Sequence, residues 1–539
     1  RYNVNAMPVM EEERMVGIIS RRIVEQALFH NLGEVPVTDY MHTEFMRAAP
    51  DTPLVAIREY LVGENRRFVP IFAGDELVGA VTRTDLLRSM YTGEALYDLA
   101  REAIPVRRKE VERLINRQLS PRVTGVLRDL GETGEELALP VYLVGGFVRD
   151  LLLGIENYDI DVTVEGDGIL FAESFAARFG CRCKCHQKFG TAVIVFPDGF
   201  KIDVASTRVE YYESPGALPT VERSSLKRDM YRRDFTINTL AIRLNTPEFG
   251  VLIDFFGAQR DIQERVIRVL HNLSFVEDPT RVFRAIRFEL RLGFHIARHT
   301  ENLIKNAVKM NFLEKLGGKR LLTELVLILR EKEPLRAVER LADLGLLRFI
   351  HPDLHLAADN RRLLAETQQI VSWFDLLFLE RSYEKWAVYF LALCDPLSFG
   401  QFWGTCTRLS VGEHYKEKLS EMRQKAWEVL EIMETRMARR GVVVRSAIHA
   451  WLRELPVEVL LYMMAKTGSE KVKKAISLYF TQLQGVRTLI TGEDLKRMGV
   501  PPGPLFAKIL ADVLSARLNN RVQSREDELR LVGELLRKV

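Results

Sequence analysis

Short β-branched runs closed by turns recur through the first half of the chain, and helical spacing fills the second. VYLV (141–144) is apolar and short, which predicts a buried strand. FVRDLLLG continues as a helix. YDIDV predicts the next strand, FGTAVIVF a third, and a PDG turn leads into FKIDVASTR as a fourth. From Leu335 onward, LRAVERLADLGLLRFI, LLAETQQIVSWFDLLF and EVLLYMMAKTG carry apolar residues at helical spacing, which predicts an all-α C-terminal part. Near the N-terminus the pattern repeats. Met7–Leu28 and Val69–Met90 align without a gap at an offset of 62 residues, with Pro8 matching Pro70, Gly17 matching Gly79 and Arg21 matching Arg83. Each copy reads as strand, turn, strand and amphipathic helix. Residues 40–62 have no counterpart before Arg1, so the first repeat is expected to be incomplete and the chain to have been cut from a longer one. Between Tyr91 and Pro140 the pattern is helical and charged, punctuated by Pro105, Pro121, Gly131 and Gly134. It predicts a linker helix and then a helix of the next domain.

Composition narrows the class. At 539 residues there is room for several domains of roughly 100–200 residues each. Apolar residues make up 47% and charged residues 28%, as in an ordinary soluble globular protein. The net charge of +4 confines any nucleic-acid partner to a local basic face. No apolar run reaches the roughly 18 residues of a membrane span, so no membrane partner is expected, and RYNVNAMPVM lacks a signal-peptide core. Five cysteines make no disulfide framework, so a reducing, cytoplasmic location is expected.

Candidate chemistry gathers just past VYLV. Gly145-Gly146 lets the backbone turn sharply and approach a ligand, and the helix that follows directs its N-terminal amides at the turn. With Arg149 in its first turns, this is a candidate triphosphate site. In YDIDV, Asp159 and Asp161 stand two apart on a strand and face the same way. Like charges that close call for a cation between them, and hard oxygen ligands beside a triphosphate suggest Mg2+. Asp203, between Ile202 and Val204 in the fourth strand, supplies a third acid. Three strand carboxylates around one cleft suit two-metal nucleotidyl transfer. CRCKCH (181–186) would place Cys181, Cys183 and Cys185 on one strand face, but the spacing is not that of a CxxC knuckle, so apolar packing is expected there.

The run GGFVRDLLLG followed by DIDV resembles the signature of the DNA polymerase β nucleotidyltransferase superfamily. More narrowly it resembles the class II tRNA nucleotidyltransferases (CCA-adding enzymes) and bacterial poly(A) polymerases. YRRDFTINTLA (231–241) is similar to the family's second motif. The resemblance implies that Arg232, Arg233, Asp234 and Asn238 line the nucleotide's sugar and bridge head and neck. LIDFFGAQRDIQERVIR resembles the third motif, EDPTRVFRAIRF (277–288) the fourth, and GGKRLLTELVLIL, with Arg320 and Glu324 in support, the fifth. The N-terminal repeat looks like a pair of CBS domains, which often bind adenine nucleotides. The second copy keeps the expected Thr82 and Asp85, whereas the first has Ser20 but Ile23 in place of the acid. The pair is thus a candidate adenine-nucleotide site and a surface for self-association, or a packing module with no ligand.

The fourth motif has its own chemistry. Asp278 suits a helix N-cap with Pro279 at the first helical position, and Asp278, Arg281 and Arg284 recur every three residues on one face. A carboxylate accepts and a guanidinium donates. Cytosine and adenine both offer an amino donor beside a ring-nitrogen acceptor, so both fit Asp plus Arg, and uracil and guanine do not. The family is known to use these positions in that way. Departures from the family matter as well. In VEYYESPGALPTVERSSLKRDMY the residues before Pro215 are Tyr211, Tyr212, Glu213 and Ser214, where full CCA-adding enzymes commonly carry a basic pair. The change resembles the lineage in which CC and A addition are divided between two enzymes, and it leans the expectation toward CC addition with a complementary partner enzyme. TGEDLKRMGVPPGPLFAKILADVL is similar to the tail that grips the tRNA elbow.

The expected fold class is multidomain α+β: a CBS α/β pair, a polymerase β-like head with a mixed sheet, then an all-α neck, body and tail. The expected boundaries are 1–92 for the CBS pair, 93–120 for the linker helix, 121–270 for the head, 271–335 for the neck, 336–440 for the body and 441–539 for the tRNA-binding tail. The expected function is template-free addition of C and/or A to tRNA 3′ ends from CTP and/or ATP with two Mg2+. The rivals are a poly(A) polymerase, an A-adding partner enzyme, and a CBS-based nucleotide-sensing regulator with an inactive head.

Overall fold

The N-terminal repeat folds as two hairpins with one register. In this computed structural model, which describes residues 6–30, 32–58, 60–61, 66, 68–82, 85, 105–211, 220–379, 382–440 and 443–537, strand β1 (Ala6–Glu11) pairs antiparallel with β2 (Arg14–Ser20), and β3 (Phe68–Ala73) with β4 (Glu76–Thr82). Each boundary of the second hairpin lies 62 residues after that of the first, and so does the bulge, between Val9/Met10 and Ile71/Phe72. Both turns need a left-handed residue, supplied by Glu12 (φ 54°) in one copy and Gly74 (φ 65°) in the other. Helix α1 (Arg21–Phe29) starts at Ser20, whose hydroxyl accepts from the Ile23 amide at 3.3 Å. In the second copy Asp85 accepts from the Thr82 amide (2.9 Å) and hydroxyl (2.7 Å). The first part of the expected linker, residues 93–104, lies outside the described residues. Helix α2 (Pro105–Gln118) follows, and Ser120 and Pro121 open helix α3 (Pro121–Glu136).

The expected strands assemble into one mixed sheet. Its members are β5 (Val141–Val144), β6 (Ile160–Val164), β7 (Arg182–His186), β8 (Thr191–Val195), β9 (Lys201–Ser206), β12 (Leu240–Arg243) and β13 (Leu252–Asp254), in the order β13-β12-β5-β6-β9-β8-β7. Strands β10 (Arg208–Tyr211) and β11 (Thr220–Arg223) form a separate ribbon. The β6–β9 pair is parallel and its neighbours in the sheet are antiparallel. The buried run VYLV lies inside the sheet between β12 and β6, with each of its residues at most 4% exposed, because both of its faces are covered. Helix α4 (Gly146–Leu153) links β5 to β6, and helix α5 (Gly168–Phe179), capped by Asp167, lies on β7, β8 and β9.

Residues 1–317 form one compact unit and 318–539 another, so the division falls inside the segment expected to be the neck. Among the described residues, the secondary-structure elements of the second unit are all helices. Helix Val457–Lys466 packs on Ala358–Asp375, Lys385–Leu393 and Glu413–Arg440. Helices Gly492–Arg497 and Pro504–Leu518 flank Gly499 (φ 83°), and Leu495, Ile509, Val513 and Val532 close a core beneath them. Among the described residues no helix is long and apolar enough to cross a membrane.

Candidate active site

A cavity of about 900 Å3 is lined both by Asp159, Asp161 and Asp203 and by Asp278, Arg281 and Arg284. Residues from the head and from the segment expected to be the neck thus share one volume, of the size that ligands occupy. The acids owe their positions to strand register. Asp161 on β6 and Asp203 on β9 are direct partners in the parallel pair, and Asp159, just before β6, hydrogen-bonds through its amide to Asn157 (2.9 Å). Burial raises the Asp161 pKa to about 6; the charges of Asp159 and Asp203 add to the effect and Arg233 opposes it. Burial and Asp159 likewise raise that of Asp203. Carboxyls so placed resist ionising without a cation. Among the described residues no three His, Cys, Asp or Glu side chains are arranged to hold a metal ion unaided. The donor set still fits Mg2+, which takes one or two carboxylates and completes its shell with water and substrate phosphates.

Gly145 has a positive φ (73°), and a Cβ there would lie 2.7 Å from Arg233 Nη1 and 3.7 Å from Asp161 Oδ2. The turn must be glycine because an arginine and a catalytic-type acid close on it from two sides. Gly146 opens α4 and lines the cavity. Arg149, expected on the triphosphate, lines the cavity and also donates within the protein, through Nε to Asp150 (2.8 Å) and through Nη1 to Asn238 Oδ1 (2.6 Å). Asn238 in turn donates to Asp234 (2.9 Å), and Arg284 Nε donates to Asp234 Oδ2 (2.7 Å). A chain of polar contacts therefore runs from α4 to helix α7 (Thr280–Leu292), with helix α6 (Leu226–Tyr231) ending just before its middle members. Burial opposes the charge on Asp234, yet Arg284 and the Asn238 hydrogen bond outweigh it and hold the pKa at about 2. The Arg149–Asp150 pair is 3% and 1% exposed, so loss of either partner would strand a buried charge.

The start of α7 differs slightly from expectation. The helix begins at Thr280 with Pro279 in the capping position, one residue later than expected. The Asp278 carboxylate nevertheless accepts from the Thr280 amide (3.1 Å) and hydroxyl (2.6 Å), which is a cap in function. Arg281 is 4% exposed and donates to Ser274 Oγ (2.7 Å) and to the Arg232 carbonyl (2.7 Å). Two of its five donors are thereby used to fix it, and it still lines the cavity.

Several residues that shape the site escaped the sequence reading. Asp229, 1% exposed, pairs with both Arg232 (2.8 Å) and Arg233 (3.3 Å) and aims the two arginines. Asp150 anchors Arg149, and Arg287 and Arg291 on α7 add positive charge to the lining. The helical spacing of Arg284, Arg287 and Arg291 was a visible signal; the partnership of Asp229 was not. Arg320 and Glu324 belong to the second unit, in helix Gly318–Leu329, where Glu324 is buried. Thr82 and Asp85 bond to each other outside this cavity. Residues 212–219 of the altered loop lie outside the described residues. The CRCKCH cysteines are half-buried at the sheet edge, with Cys183 and Cys185 Sγ 3.4 Å apart.

Comparison with known proteins agrees with this geometry. Family models match for a Poly A polymerase head domain over residues 141–268, for a "Probable RNA and SrmB- binding site of polymerase A" over 293–357, and for a CBS domain over 37–92. A protein of Geobacter sulfurreducens named A-adding tRNA nucleotidyltransferase is 66% identical over 99% of this chain, and the chain spans 61% of that relative's length. A protein of the same name from Halalkalibacterium halodurans is 30% identical over 78% of this chain and 94% of its own. The solved Thermotoga maritima CCA-adding enzyme complexed with tRNA superposes with a TM-score of 0.63 at 33% identity, covering 79% of this chain and 98% of that one. Together with the Gly-Gly turn, the strand acids and the Asp–Arg pair in one cavity, these likenesses place the chain in the tRNA nucleotidyltransferase family.

Proposed function

We propose that this chain adds adenosine, without a template, to the 3′ end of tRNA. The 3′-oxygen of the RNA bonds to the α-phosphorus of ATP, the bond from that phosphorus to the bridging oxygen breaks, and pyrophosphate leaves. A divalent cation held by Asp159 and Asp161 would lower the pKa of the hydroxyl and offset the charge that develops on the phosphates. Asp203, the direct strand partner of Asp161, is placed to receive the hydroxyl proton. Arg232 and Arg233, aimed by Asp229, offer charge to the nucleotide, and Asp278 with Arg281 selects its base. Arg149, Asn238, Asp234 and Arg284 hold the two halves of the site in register. The observation that carries this reading is the single cavity shared by the strand acids and the Asp–Arg pair.

The choice of A over CC follows the relatives: those at 66% and 30% identity are both named A-adding. The expectation of CC addition rested on the stretch before Pro215, where residues 212–219 lie outside the described residues and offer no geometry in its favour. An A-adding enzyme needs a tRNA already ending in CC, so a CC-adding reaction must precede it. The helices around Gly499 are candidates for the tRNA contact, through backbone amides and Lys508 on phosphates.

The test offers labelled CTP and ATP, separately and together, to three tRNAs: one lacking CCA, one ending in C and one ending in CC. ATP incorporation on the CC-ended tRNA alone is the expected result. CTP addition that halts at CC would restore the CC reading, and addition of both would make this a complete CCA enzyme. Incorporation on none of the three would overturn transfer to tRNA.

A further inference from the structure

The sheet face that carries Asp161 and Asp203 continues past them to the sheet edge. Paired residues on neighbouring strands point to the same side, and alternate residues along a strand to opposite sides. Asp161 on β6 pairs with Asp203 on β9, Asp203 with Val193 on β8, and Val193 with Lys184 on β7. A second row runs from Thr163 through Ala205 and Thr191 to His186, and all four of these residues line the reaction cavity. A third row joins Lys201, Val195 and Arg182.

Burial separates the two faces of these strands. Ala192, Ile194, Ile202 and Val204 are at most 1% exposed, under helix α5. On the other face Arg182, Lys184, His186 and Lys201 are exposed, as is Asp203, and Val193 is half-buried. Carboxylates nearby are engaged elsewhere. Glu173 lies on the covered face, where Cys185 Sγ donates to it (3.5 Å), and Asp198, in the β8–β9 turn, is paired with Arg122. Arg182 and Lys184 form no ion pair among the described residues. Charges on an edge strand also discourage pairing with another sheet, but carboxylates would do that equally well and would repel RNA.

The direction of attack selects this face. In an in-line displacement the attacking oxygen and the leaving pyrophosphate lie on opposite sides of the α-phosphorus. With the triphosphate at Gly145-Gly146, the pyrophosphate leaves on the β5 side of the acid strands β6 and β9. The 3′-hydroxyl then arrives from the other side, across β8 and β7. Neighbouring strands lie about 4.8 Å apart, so Lys184 stands about 10 Å beyond Asp203, beneath the phosphodiesters just behind the reacting end.

We propose that the open face of β9, β8 and β7 is the track for the 3′ strand of the RNA. Arg182 and Lys184 hold its last phosphodiesters, and His186 meets the terminal nucleotide at the cavity wall. This track presupposes nucleotide transfer to RNA, as proposed above, and adds where the RNA lies. Arg182 and Lys184 are positioning residues: they touch no reacting atom and set the line along which the 3′-oxygen approaches.

The test uses the full chain and the tRNA that the wild-type enzyme extends. Arg182→Glu with Lys184→Glu should raise the KM for that tRNA about tenfold or more and leave the KM for the nucleotide unchanged. Arg182→Gln with Lys184→Gln should flatten the dependence of log KM for tRNA on log salt by about 1.4, the share of two single-strand phosphates. Arg182→Lys with Lys184→Arg should restore both. A photoreactive thiouridine in place of the penultimate cytidine of a CC-ended tRNA should crosslink to residues 182–195 with no nucleotide present, which reads the track without relying on transfer. An unchanged KM for tRNA in both charge variants, or a crosslink confined to other segments, would overturn the track. A wild-type chain that extends no tRNA and still crosslinks at residues 182–195 would overturn transfer and leave the track standing.

Discussion

Asp161 stands among influences of opposite sign. Burial, Asp159 and Asp203 raise its pKa to about 6, while the ordinary value is 3.8. Between those values the fold keeps a proton that the unfolded chain has released, so stability declines as pH rises through that window. Asp161→Asn has no proton to release. In urea titrations of metal-free protein its advantage over the parent should be absent below about pH 4 and full above about pH 6; an advantage that ignores pH would mean that the acids do not repel. Arg281 supplies a second test at this scale. Fixed by Ser274 and the Arg232 carbonyl, it can present further donors in one orientation. Arg281→Ala should lower the preference for ATP over UTP, as a ratio of kcat/KM, by about a hundredfold. Unchanged discrimination would move base reading to another residue. At this scale the sequence was readable wherever spacing encodes a shared face, as in Asp159 and Asp161. It was silent on Asp229, whose role depends on how helix α6 ends and not on any motif around it.

Strands and turns set the geometry that these residues use. The β6–β9 pairing puts Asp161 opposite Asp203, and that register could not be read from either strand alone, because a parallel pair is joined by a long connection. The strands themselves were legible from β-branched runs and the PDG turn, and the one-residue delay at the start of α7 reflects a cap formed from outside the helix. Gly145 tests the turn. An alanine there must adopt φ near 73° and displace the Arg233 guanidinium, which lies 2.7 Å from the new Cβ. Gly145→Ala should cost about 1–2 kcal/mol of stability, by chemical denaturation. It should slow transfer about a hundredfold, through a misplaced Arg233. Wild-type rates in that variant would show that the turn tolerates a side chain and that Arg233 is not held by it.

At the scale of the molecule, the CBS hairpins and the head form one compact unit, and a pair of histidines sits in the contact. His42 Nδ1 lies 3.4 Å from His299 Nε2, with the rings edge to face. Burial lowers the pKa of both: His299 falls to about 4 despite the pull of Glu44, and His42 falls well below its usual value, with Arg66, His299 and Arg268 acting in the same sense. Below the ordinary value of 6.5 the unfolded chain gains protons that the fold refuses, so this contact is at full strength above about pH 6.5 and weakens toward pH 4. Hydrogen exchange over residues 36–48 should accelerate on acidification from pH 7.5 to 5.5, after correction for intrinsic rates, and the acceleration should vanish in His299→Asn. The paired hairpins and the helical second half were legible from the repeat and the change of periodicity. The docking of the first repeat on the neck was not, because it depends on side chains such as Asn272 and Asn306 that carry no pattern.

The two hairpins share their register, and in the first copy that register is pinned. A Cβ at Gly17 would lie 2.5 Å from Met41 Sδ and 3.0 Å from the His42 carbonyl. The first hairpin is wedged against the segment that touches the neck, and it behaves as part of the molecule's frame. Gly17 is therefore a keystone: Gly17→Ala should unseat the frame and lower the midpoint of a melting experiment.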